Sequence, residues 1–240
     1  MAHLAVMLAI GVAAGGMAGV QQESQTQPQT QHSGHDHDHA HEATVTHPFD
    51  DVERWVDVFD DPNRAEWQKP DRIPRALGLR AGMAVADIGA GTGYFLKFFS
   101  AAVGPSGKVY AVDVEPKLVA HMRQRSIQEK TANVTVILGA PDDPKLPAAA
   151  LDVIFICDTW HHINDRIDYL ALLARALKPG GSVAIVDFHK REAPVGPPTE
   201  HKMAREEVVA EFAEAGWTLA SESDILPYQY LLIFKPRAAR

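Results

Sequence analysis

The stretch Val85-Ala86-Asp87-Ile88-Gly89-Ala90-Gly91-Thr92-Gly93 constrains this chain more than any other. An apolar run passes into three glycines at alternate positions, and helix-spaced apolar residues follow over 94–103. That order reads as a buried strand, a tight turn and a helix. Glycine supplies the positive φ angles of the turn and lets a ligand lie close against the backbone at the strand's end. Asp87 stands at that end, where a carboxylate accepts from a cationic amino group or organises the loop. Asp113 closes the next apolar run, twenty residues after Gly93. An acid there accepts the hydroxyls of a ribose. The loop alone does not name its ligand. A nicotinamide-binding domain uses the same physics, and a structural turn is the bland alternative. Here the third glycine of the dinucleotide fingerprint falls on Tyr94, which counts against nicotinamide.

The flanking pattern sets the architecture. Strands are predicted at 83–88, 108–112, 134–138, 151–157 and 182–188, and helices at 94–103, 116–130, 166–177 and 205–215. Upstream, Val52, Trp55, Val56 and Phe59 have helical spacing, and 73–79 reads as a short helix. Strands alternating with helices imply a parallel sheet covered on both faces. Two final strands, 217–221 and 228–234, have only a short connection between them and are expected to pair antiparallel at one edge. The expected fold is α/β: three layers, doubly wound and Rossmann-like, with a seven-stranded, mostly parallel sheet and an antiparallel terminal strand.

Composition narrows the chemistry. The net charge of −8, with basic residues scattered among acids, argues against a nucleic-acid substrate, because phosphate binding needs a clustered basic surface. The single cysteine, Cys157, lies in an apolar run and reads as a buried core thiol. One cysteine also makes the chain a poor candidate for metalloid chemistry that depends on several thiolates. Residues 1–20 resemble a signal peptide or N-terminal anchor: an apolar stretch over 4–14, too short to span a bilayer, with small residues after it but no basic residue before it. This predicts a periplasmic or secreted protein with transient membrane targeting through the N-terminus, the cytoplasm being the alternative. Residues 21–47 are polar, with six histidines between His32 and His47, and read as a solvated linker. Metal scavenging is the competing reading of the His tract. No structural metal site is expected, because nothing there fixes a tetrahedral geometry.

Three more features accompany the glycine loop and Asp113. The third strand is followed by Gly139-Ala140-Pro141-Asp142-Asp143. The fourth ends at Cys157-Asp158 and leads into Thr159-Trp160-His161-His162. Leu177-Lys178-Pro179-Gly180-Gly181 turns a helix directly into the fifth strand. Together with the final strand pair, these closely resemble the class I S-adenosylmethionine-dependent methyltransferases, over most of the chain. The resemblance implies a methyltransferase domain over 48–240, S-adenosyl-L-methionine as cofactor and a small-molecule acceptor. It implies that Asp87 and Gly89 flank the amino-acid part of the cofactor, that Ala90 also binds the cofactor and that Gly91 and Gly93 shape the loop. Asp113 would hold the ribose, with Val114 beside the adenine. Ala140, Pro141 or Asp142 would meet the adenine edge, though Pro141 lacks an N–H to read it. Asp158 and Thr159 would lie between cofactor and acceptor.

Methyl transfer is an in-line displacement in which positioning supplies much of the rate. A base is needed only where the acceptor carries a proton of high pKa. Asp158, His161 and His162 are the catalytic candidates, with Asp187 and His189 nearby in the pattern. Trp67 and the Pro-rich segment leading to His201 are candidates for a cover over the site, and packing residues or an ordinary loop otherwise. Two alternatives remain beside the methyltransferase: a nicotinamide-dependent oxidoreductase, and an exported metal-handling or binding protein on a methyltransferase-like scaffold.

Overall fold

The computed structural model describes residues 51–237. The expected signal segment, the His-rich linker and any metal binding by it lie outside the described residues. In chain order the elements are α1 (Val52–Phe59), α2 (Arg64–Gln68), α3 (Ile73–Ala76), β1 (Ala84–Ile88), α4 (Leu96–Val103), β2 (Lys108–Asp113), α5 (Pro116–Gln128), β3 (Val134–Leu138), β4 (Leu151–Cys157), α6 (Arg166–Ala176), β5 (Leu177–Phe188), α7 (Arg205–Glu214), β6 (Trp217–Ser223) and β7 (Gln229–Pro236). Short 3-10 turns occupy Trp160–His162 and Thr199–His201. Among the described residues no helix is long and apolar enough to cross a membrane.

The sheet has seven strands in the order β3-β2-β1-β4-β5-β7-β6. β1 pairs in parallel with β2 and β4, β2 with β3, and β4 with β5. β7 runs antiparallel to both β5 and β6, so it alone opposes the other six. This is the expected doubly wound architecture. Alternate residues of the central strands face two cores. Ala86, Ile154, Ile185 and Leu232 pack with Leu170, Leu173 and Phe212 of α6 and α7. Val85, Phe155, Val186 and Leu231 pack with Ile73, Phe99 and Met122 of α3, α4 and α5. The strand order reverses between β1 and β4, which opens a crevice at the carboxyl ends of the strands.

Three local differences from the sequence expectation have plain causes. The helix after the glycine loop starts at Leu96, because the turn runs on through Gly93 at φ +83. The Leu177-to-Gly181 turn is a bulge inside β5. Leu177 still pairs with Leu151, and Ser182 pairs with Val153, so the intervening residues loop outward. Asp152 holds that bulge by accepting from Lys178 Nζ at 2.6 Å and from the Ala84 amide of β1 at 2.7 Å. Finally, α2 is an additional short helix. It ends at Lys69 in the left-handed region, φ 46, because the following Pro70 disfavours a helical predecessor.

Candidate active site

The crevice is a cavity of about 610 Å³. Its floor is made by the ends of four parallel strands. Ile88 and Gly89 come from β1, Val112 and Asp113 from β2, Cys157 and Asp158 from β4, and Phe188 from β5. Its cover comes from Trp55 and Phe59 of α1, Arg64 and Trp67 of α2, and the segment Val195-Gly196-Pro197 with His201.

On one side the glycine loop is tied to β2. The amides of Gly89 and Ala90 both donate to Val112 O, at 2.9 and 3.0 Å. The Gly91 amide donates to Asp113 Oδ2 at 2.9 Å, and the Glu115 amide to Asp113 Oδ1 at 3.0 Å. The carboxylate retains acceptor capacity beyond these amides. Burial raises the Asp113 pKa, although the three backbone amides on it pull the other way. Gly89 has φ +69, and a β-carbon there would stand 2.3 Å from the Thr159 side chain, so the loop can rest on the β4 segment only as glycine.

Asp87 is 2% exposed, and its Oδ2 has no hydrogen-bond partner. Burial lifts its pKa to about 8, against the pull of Arg64 and with a further push from Asp113. A buried acceptor without a donor is costly, and a cationic donor entering the cavity would satisfy it.

On the other side Asp158 sits in the left-handed region at φ 51. Gln229 Nε2 donates to both of its carboxylate oxygens, at 2.7 and 2.9 Å. Gln68 Nε2 in turn donates to Gln229 Oε1 at 2.6 Å. Burial first, and the nearby Asp187 second, raise the Asp158 pKa to about 6. His161 lies in the 3-10 turn after β4, with Nδ1 2.8 Å from Asp187 Oδ2. Asp187 is fully buried, and its Oδ1 accepts from the Phe188 amide. Burial alone would lower the His161 pKa, but the Asp187 charge and hydrogen bond outweigh it, and the net shift is upward. Glu211 of α7 anchors the turn. It accepts from Trp160 Nε1 at 2.9 Å and pairs with Arg166 at 2.8 Å, all three residues being buried.

The cavity gathers Asp87, Gly89, Ala90, Gly91, Asp113, Val114, Ala140, Pro141, Asp158, Thr159, His161 and His162. Two sequence candidates lie apart from it. Asp142 is exposed, because the bridge between Ala140 and Asp143 turns it outward. Gly93 shapes the loop from behind, and a β-carbon there would meet Leu96 and Met122. His189 does not line the cavity, and its ring packs on Tyr230 at 5.7 Å. Cys157 is buried as expected. Its pKa is pushed well up by burial and then by Asp158, so the thiol is no nucleophile. Sequence reasoning missed Arg64 and Gln229, and it offered Gln68 only as the amide beside Trp67 in a candidate cover, not as a partner of Gln229. The one available signal was polar residues at positions whose neighbours are apolar or turn-forming. Among the described residues no group of three or more His, Cys, Asp or Glu could hold a metal ion.

Comparison with known proteins gives the family. A methyltransferase-domain model matches residues 85–181. A solved structure of a SAM-dependent methyltransferase from Aquifex aeolicus is 30% identical, with a TM-score of 0.73; the similarity covers 79% of this chain and 98% of that one. The chain belongs to the S-adenosylmethionine-dependent methyltransferases. Its cofactor is therefore S-adenosylmethionine, which decides between the two ligands that the glycine loop left open. Within this family, the chain is 30% identical over 119 residues to a ubiquinone/menaquinone biosynthesis C-methyltransferase of Hahella chejuensis and 32% identical over 114 residues to that of Pseudomonas fluorescens. These matches cover 49% and 47% of this methyltransferase, and it spans about half the length of those relatives, 48% and 44%. A type 11 methyltransferase structure from Sulfolobus solfataricus shares the fold, with a TM-score of 0.58 at 20% identity, covering 72% of this chain and 95% of that one.

Proposed function

We propose that this chain methylates a small aromatic acceptor that carries a weakly acidic proton, and that His161 removes the proton. The observation that carries this reading is His161 in the cavity wall, backed from beneath by the buried Asp187. Asp187 occupies Nδ1 at 2.8 Å, which leaves Nε2 as the basic atom. When bound, S-adenosylmethionine supplies a methyl group made electrophilic by the sulfonium. In transfer to the acceptor's oxygen or ring carbon, the electron pair of the broken methyl–sulfur bond would stay on sulfur and leave S-adenosylhomocysteine. His161 takes the acceptor's proton as the new bond forms and passes it to solvent, with Asp187 stabilising the imidazolium. Asp158, held by Gln229, accepts a hydrogen bond from an acceptor hydroxyl and orients the ring.

The chain's own residues suit the cofactor. Asp113 offers two acceptor oxygens for the ribose hydroxyls, and the bare Oδ2 of Asp87 suits the ammonium of the amino-acid part. Trp67, Phe188, Val195 and Pro197 give the remaining wall an apolar, aromatic character that fits a flat ring. The quinone-pathway relatives add support for a quinol or phenol as acceptor. The test is transfer from methyl-labelled S-adenosylmethionine to a panel of phenols and quinols, with peptides as a parallel set. Mass spectrometry should find the label on a small aromatic together with S-adenosylhomocysteine. Label confined to the peptides, or no transfer by protein that binds S-adenosylhomocysteine, would overturn the reading.

A further inference from the structure

Two fully buried amides connect the cover of the cavity to its floor. Gln68 ends α2, the short helix that lends Arg64 and Trp67 to the cover, and Gln229 opens β7. Both are 0% exposed, and neither lines the cavity. The residues at the two ends of their hydrogen-bond chain do line it. Arg64, stacked on the Tyr94 ring at 4.2 Å from the centroid, donates through Nε to Gln68 Oε1 at 3.2 Å. Gln68 Nε2 donates to Gln229 Oε1 at 2.6 Å, and Gln229 Nε2 donates to both oxygens of Asp158 at 2.7 and 2.9 Å.

This relay has one allowed direction. A guanidinium has no acceptor, and a carboxylate has no donor. Each end therefore dictates which face of the neighbouring amide it meets. Turning Gln68 over would set its nitrogen against Arg64 Nε and its oxygen against Gln229 Oε1. Turning Gln229 over would set its oxygen against the Asp158 carboxylate, a contact that stands only if Asp158 takes up a proton. Buried amides have no water to settle such a mismatch. Direction thus enters at Arg64 and is delivered at Asp158, through groups that lie outside the cavity. Asp158 still has capacity for a ligand. Of a carboxylate's roughly four lone-pair sites Gln229 takes two, and the Cys157 thiol, 3.5 Å from Oδ2, takes at most one more.

We propose that Gln68 and Gln229 are positioning residues for the methyl acceptor: they present Asp158 to the cavity only as a hydrogen-bond acceptor, so that the site selects rings that bring a hydroxyl over rings that bring an ether. This rests on the reading of Asp158 as the acceptor's hydrogen-bond partner. The relay also ties acceptor selection to the cover, because without α2 in place Gln229 loses the partner that fixes its direction.

The test uses the full chain loaded with S-adenosylhomocysteine and two measurements by NMR. The first follows the Asp158 side-chain carboxyl in protein labelled with ¹³C-aspartate, assigned through Asp158→Asn. In Gln68→Met, which keeps the stem and removes both amide atoms, Asp158 should titrate about one pH unit higher than its wild-type value of about 6, because its charged form has lost a fixed donor. Asp187, His161, Arg64, Cys157 and Tyr230 also act on Asp158, and all of them are retained. The second measurement titrates phenol and anisole. The wild type should prefer phenol, and Gln68→Met should bind phenol several-fold more weakly at pH 7 with anisole and S-adenosylhomocysteine within about two-fold. If Gln68→Met does not fold, Gln68→Glu still accepts from Arg64 but draws Gln229 Nε2 toward itself, and both shifts should run in the same direction. An unmoved Asp158 titration, or equal weakening of phenol and anisole, would overturn the proposal. A moved titration in a protein whose wild type shows no preference for phenol would instead overturn the acceptor role of Asp158 beneath it.

Discussion

On the cofactor side of the cavity, Gly89, Ala90 and Gly91 hang from β2 by backbone amides, two on Val112 O and one on Asp113. On the proposed acceptor side, Asp158 and His161 are held by side chains from β7 and β5, and the turn carrying His161 is held by α7. The first construction is local and fixes a shape: a loop that tolerates no side chain at Gly89. The second is assembled from distant segments and fixes charge: two buried carboxyl groups and the half-buried Asp158, one imidazole and two amides in a defined hydrogen-bonding order. A site of this kind can keep its cofactor side constant while the acceptor side is retuned by single side chains.

The sharpest way to separate the two sides is His161→Ala. On the proposed base role, kcat should fall about 10²–10⁴-fold, while affinity for S-adenosylhomocysteine stays within about two-fold. The wild-type rate should rise with pH through the His161 pKa, because the base must be neutral, and the Asp187 contact places that limb above the usual histidine range. Equal loss of rate and of cofactor binding would show that the two sides are not separable.

Next in size is Gly89→Ala, which attacks shape alone. The left-handed backbone costs about 1–2 kcal/mol with a β-carbon, and the collision with Thr159 adds about 1–3 kcal/mol of overpacking. Thermal unfolding and S-adenosylhomocysteine binding should both suffer. Gly216→Ala is the control: it also has a positive φ, +81, but nothing lies within 4 Å of its added carbon, so only the backbone cost should appear.

The smallest effect is a proton count. Asp87 has a pKa of about 8 in the ligand-free fold, against 3.8 for an ordinary aspartate. Between those values the folded chain carries a proton that the unfolded chain has lost, so this group makes stability fall as pH rises through that window. Binding an ammonium requires the carboxylate. Association with S-adenosylhomocysteine at pH 7 should therefore release up to about one proton, and the release should fade as pH passes about 8. Calorimetry in buffers of different ionisation enthalpy reads this directly. Asp87→Asn should abolish the release, and zero release by the wild type would remove Asp87 from ammonium binding.

The same contrast explains what was legible in the sequence. Gly89 to Gly93 and Asp113 lie within one strand-turn-helix-strand unit, where spacing alone dictates position, and the alternation of apolar runs was enough to predict the sheet. Asp158 and His161 were legible because they follow a strand directly. Gln68 and Gln229 were not, because they meet across 161 residues, and an isolated glutamine carries no periodic signal. Arg64 was missed because nothing local distinguishes a surface arginine from one folded over Tyr94. That Asp142 lies outside the cavity was not legible, because the reversal between Ala140 and Asp143 has no sequence mark beyond its proline.

β7 enters the sheet between β5 and β6 although it follows both in the chain. During synthesis, Asp158 leaves the ribosome 71 residues ahead of Gln229, the residue that holds it. Until β7 is made, β6 has no neighbour and the carboxylate at the end of β4 has no amide to orient it. The fold thus delays the ordering of this carboxylate until nearly all of the described domain has been translated, and a nascent chain that has completed β4 carries Asp158 without the amide that fixes it.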